Sequence, residues 1–102
     1  MTTLKDQRLV SRSIGHGLVA LIDGRPHPLI DVSIAGVSFE DDTPRAGQAL
    51  NLTLARIDAP EDRVDGRLRV VSATGGTTRG ELAITVPMVL YVIRHLARVA
   101  EA

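Results

Sequence analysis

From Leu18 onward, apolar side chains recur at every second residue in short runs, and each run ends at a turn built on glycine or proline. A period of two places successive side chains on opposite faces of an extended chain, so these runs predict half-buried strands. Leu18 to Ile22 makes the first strand. Asp23-Gly24 follows as a two-residue hairpin turn, because glycine accepts the positive φ that a primed turn requires. The second strand is expected from Pro28 to Ile34, with Pro26 and Pro28 held to its start or edge because they lack an N–H. Leu50, Leu52 and Leu54 alternate with Asn51 and Thr53. Val64, Gly66, Leu68 and Val70 then oppose Asp65, Arg67 and Arg69. Gly75-Gly76 turns the chain into a last strand, Thr77 to Val86, with Leu82, Ile84 and Val86 alternating with Glu81, Ala83 and Thr85.

The phase of this pattern changes once. Ile30, Val32 and Ile34 share one face and leave Asp31 and Ser33 on the other, whereas Val37 and Phe39 are out of step with them. A bulge or kink at Ala35-Gly36 would let both sets reach one core. After Pro87, which suits the first turn of a helix, the period becomes helical: Val89, Val92, Ile93, Leu96 and Val99 form a stripe. This helix is expected to pack on the sheet or cover an open end. Leu90 and Tyr91 widen its apolar face, so a share in a homodimer or partner surface is the other role it could take. The predicted fold is mainly β: a six-stranded antiparallel barrel (17–86) behind a flexible N-terminal arm (1–16), with a C-terminal α-helix (87–102), in one domain.

Twelve basic and twelve acidic residues balance, so the chain lacks the positive field with which non-specific nucleic-acid binders hold phosphates. One Phe, one Tyr and no Trp provide no stacking platform for single strands. The absence of cysteine excludes disulfides, thiolate metal sites and cysteine nucleophiles. The N-terminal stretch has no apolar run after its basic residues. The apolar run near the C-terminus is interrupted at Arg94 and His95, too early for a membrane span. A cytoplasmic protein without nucleic-acid or membrane partners is expected. His16, His27 and His95 lack metal-ligand spacing and read as surface or loop residues, and Glu40-Asp41-Asp42 reads as a solvated loop. No nucleophile–base pair emerges, so no enzyme is expected.

The residues with chemistry to offer are few. Asp31 and Ser33, two apart on a strand, point the same way. A carboxylate there can accept the N1–H and amino group of a guanine edge, while a hydroxyl beside it donates. Gly36 offers a bend and room for a ligand to approach the backbone. Arg-x-x-x-Arg occurs three times, at Arg8/Arg12, Arg63/Arg67 and Arg94/Arg98. Only the first pair lies on the arm ahead of the Asp31 strand, where two guanidinium groups could fold over a ligand and fork onto its phosphates.

Arg8-x-x-x-Arg12 followed by Asp31-x-Ser33-x-x-Gly36, with a barrel and a terminal helix, resembles the PilZ domain, the bacterial receptor module for cyclic di-GMP. The resemblance covers essentially the whole chain. It implies a non-enzymatic receptor that binds cyclic di-GMP, uses no cofactor and signals to an unidentified effector protein. Arg8 and Arg12 would contact phosphates and guanine faces, Asp31 and Ser33 a guanine, and Gly36 would set the backbone. Some relatives stack an aromatic residue on a base. This chain has no Trp, and outward-facing Arg69 is the residue that could substitute. A PilZ-like interaction adaptor that binds no nucleotide is the alternative.

Overall fold

The structure, a computed structural model, describes residues 15–41 and 43–101. Six antiparallel strands, β1 (Leu18–Ile22), β2 (Arg25–Val32), β3 (Gly36–Glu40), β4 (Ala49–Arg56), β5 (Arg63–Thr74) and β6 (Thr77–Leu82), close into a barrel in the order β1-β2-β3-β6-β5-β4. One helix, α1 (Val86–Glu101), follows. Closure leaves no free sheet edge to pair with another chain. The helix is not long and apolar enough to cross a membrane.

Local chemistry explains the tightest connection. Asp23 and Gly24 both adopt positive φ, 53° and 77°, and join β1 to β2 through a two-residue primed turn. β2 begins at Arg25, earlier than the prolines suggest. It pairs with β1 through Arg25–Pro28 and with β3 through the residues after Pro28. Pro26 and Pro28 therefore lie where the β3 side of the strand carries no ladder, and their missing N–H groups disrupt nothing.

Alternating side chains from all six strands fill the interior, with Leu18, Phe39, Leu54 and Leu68 fully buried. Helix α1 completes this core with Met88, Tyr91 and Val92. Gly66 in β5 is what admits it: a Cβ at that position would collide with the Met88 methyl. Thr85 caps the helix, its hydroxyl accepting from the Met88 amide at 3.3 Å. The Tyr91 hydroxyl, carried inward with its ring, donates to the Asp62 carbonyl at 2.7 Å.

Several expectations are corrected. β6 ends at Leu82, so Ile84 and Val86 are 76% and 72% exposed instead of lining the core. The chain leaves the sheet there because Thr85 and Pro87 start the helix, and Ala83 makes the last bond back, its amide to the Arg67 carbonyl. The buried helical face is Met88, Tyr91, Val92 and His95, rotated from the predicted stripe, and Ile93 is 49% exposed. Nearly every residue from Val86 to Ile93 is apolar, so periodicity could not choose the face; the Gly66 gap and the Asp62 carbonyl choose it. His95 is only 4% exposed, not a surface residue. His27 is half-buried, its ring 5.3 Å from that of Phe39 and its Nδ1 3.6 Å from Asp41.

Candidate ligand site

The phase change read from the sequence arises differently in the structure. The slip lies within β2, where the register with β3 shifts between Leu29 and Asp31. Leu29 and Val32 both face the core, and Ile30 is the extra residue. At Ala35-Gly36 there is no bulge in a continuing strand; the chain reverses. The Ser33 amide donates to the Gly36 carbonyl at 2.9 Å, closing a hairpin around Ile34 and Ala35, and Val32 pairs with Val37 beyond it.

Ser33 holds this turn together. Its Oγ accepts the amides of Ala35 and Gly36, both at 3.2 Å. With its oxygen engaged as an acceptor, the hydroxyl proton remains to be donated outward. Gly36 has no positive φ, so backbone conformation does not demand glycine there. Space does. β3 crosses β6 so closely that a Cβ on Gly36 would run into the Gly80 carbonyl. A Cβ on Gly80 would in turn lie 2.6 Å from the Leu68 Cγ. Glycine at this position therefore gives two strands room to approach.

That close crossing borders a hollow of about 470 Å³ on the outside of the barrel. Asp31, Ser33 and Gly36 line it together, so the structure brings these three residues to one place. Ser33 lies just beyond β2, in the turn, and not on the strand itself. Arg8 and Arg12 lie outside the described residues. Gly15 packs against the carbonyls of Leu29 and Ile30, where a Cβ would meet both oxygens.

One residue of the hollow was not anticipated. Arg79, exposed on β6, lines it as well. The ladder runs Asp31 to Ser38, Ser38 to Arg79 and Arg79 to Ser72, a row of polar residues across β2, β3, β6 and β5. Asp31 and Arg79 are two strand spacings apart, about 10 Å. Among the described residues neither side chain has an ion-pair or hydrogen-bond partner, so a carboxylate and a guanidinium are both available at that separation. Only the β3–β6 register reveals this, and the sequence does not contain it.

Arg69 is otherwise occupied. Its guanidinium donates to Glu81 at 2.7 Å across β5 and β6, and that hydrogen bond holds it firmly protonated, above the usual arginine value. Glu81 lies on the rim of the hollow, so Arg69 is paired with a neighbour there. Val71, 55% exposed because the β5–β6 register shifts beside it, adds an apolar wall. The arrangement provides an acceptor for a donor-rich edge, a hydroxyl donor, a cation and an apolar surface for a flat ring.

No protein-family model matches the chain, and neither does any curated protein sequence.

Proposed function

We propose that the chain is a PilZ-like receptor for cyclic di-GMP that reports to a partner protein. The observation that carries this reading is the hollow that Asp31, Ser33, Gly36 and Arg79 line together. The ligand's chemistry fits the groups there. A guanine offers N1–H and an amino group to the Asp31 carboxylate and acceptors to the Ser33 hydroxyl, while a phosphate about 10 Å away suits Arg79. Binding draws Arg8 and Arg12 over the ligand, and the resulting change in surface is what the partner senses.

Titration calorimetry with cyclic di-GMP tests this. Each charge-assisted arginine contact contributes on the order of 1.5–3 kcal/mol, so Arg8→Ala, Arg12→Ala and Arg79→Ala should each weaken binding roughly 10- to 150-fold. Binding must also raise the melting temperature, because the ligand stabilises only the folded state. No heat and no thermal shift with the unmodified chain would instead favour an adaptor that binds no nucleotide.

A further inference from the structure

Helix α1 buries one face in the barrel and leaves the opposite one uncovered. Along it, Leu90, Ile93, Ala97 and Ala100 are exposed at spacings of three, four and three, the seam of a helix that packs on another helix. Leu90 and Ile93 are 55% and 49% exposed, large apolar side chains left uncovered among the described residues. A shallow groove between the helix and β5, floored by Val64 and walled by Arg63 and Arg94, runs beside them.

We infer that this face is occupied by a second copy of the same chain, its α1 antiparallel to the first about a two-fold axis beside His95. The sequence of the helix is complementary to itself only in that arrangement. Leu90 meets Ala100 of the other copy and Ile93 meets Ala97, so each large residue faces a small one and the helices approach closely. Along the flank, Arg94 has to reach five residues, about 7.5 Å of helix rise, along the other copy to meet Glu101, and the symmetry repeats the pair. Arg94 packs over the Tyr91 ring, its guanidinium carbon 5.7 Å from the ring centre. A parallel pair would set Arg94 against Val89 and Glu101 against Leu96, with no charge match. The buried face of α1 lies opposite the seam, so the two barrels sit on the outer sides and do not compete for it.

An interface of one helix pair falls at the small end of specific interfaces, so dissociation is expected on the order of 10–100 μM. Sedimentation equilibrium of the full chain over that range should show a reversible monomer–dimer equilibrium. Leu90→Arg should weaken it by about 100-fold or more, because a charge would be buried in the seam. Arg94→Glu and Glu101→Arg should each weaken it about tenfold, and the double exchange should restore it. Far-ultraviolet dichroism checks that each variant is folded, which is expected because the altered side chains are exposed. A chain that stays monomeric to about 500 μM, a dimer indifferent to Leu90→Arg, or a double exchange no better than the singles would each overturn the proposal.

Discussion

Two strand glycines, Gly66 and Gly36, leave space in the same barrel wall system and use it in opposite ways. At Gly66 the missing Cβ is replaced by the Met88 methyl, so the gap is filled from the helix and becomes core. At Gly36 the space is taken by backbone: β3 and β6 close up against each other, and the polar row beside them faces outward around an open hollow. One region therefore holds the fold and the other presents chemistry. Side chains at the first should govern stability, and exposed side chains at the second should govern binding with little effect on stability.

Met88→Ala should give the largest loss. Removing a fully buried side chain that plugs the barrel costs about 2–5 kcal/mol in denaturant unfolding. A loss below about 0.5 kcal/mol would mean that the helix does not seal the core. Gly36→Ala comes next, at about 1–3 kcal/mol, because the new methyl must push apart two backbones. If it instead left stability unchanged and abolished ligand binding, the glycine would be serving the ligand and the contrast would fail.

Tyr91→Phe should cost about 0.5–1.5 kcal/mol through the lost bond to the Asp62 carbonyl. It should also alter the alkaline limb of stability. Burial foremost, with Asp62 nearby, raises the Tyr91 phenol above its ordinary value of 10.0. The neutral ring is thus favoured in the fold, and its contribution is complete below about pH 10 and is lost as pH rises through the raised value. Thermal melts from pH 8 to 11 should fall less steeply for the phenylalanine variant. Asp31→Ala should have the smallest effect on stability, within about 0.5 kcal/mol, because this exposed carboxylate has no partner among the described residues.

The same contrast separates what the sequence disclosed from what it withheld. β1 and its turn were legible because alternation and the Asp23-Gly24 pair are local signals, and both residues do adopt positive φ. The Ser33–Gly36 reversal was not, since Ile34-Ala35 is an apolar dipeptide without a positive-φ residue and resembles strand. The reason for Gly36 lies in Gly80, 44 residues later, and only the β3–β6 register brings the two together. Arg79 was hidden for the same reason. The buried helical face, and with it His95, depended on where β5 left a gap. Asp31 and Ser33 were legible as a pair because their chemistry is written two positions apart in the sequence.

Cyclic di-GMP binding at the hollow is read most directly from a map of amide chemical-shift changes on adding the nucleotide to the isotopically labelled chain. The largest changes should fall on Asp31 to Val37 and Arg79 to Glu81, with the interior of the barrel around Gly66 and Met88 nearly unmoved. Changes confined to the helix or to the far end of the barrel, or none at saturating ligand, would contradict it.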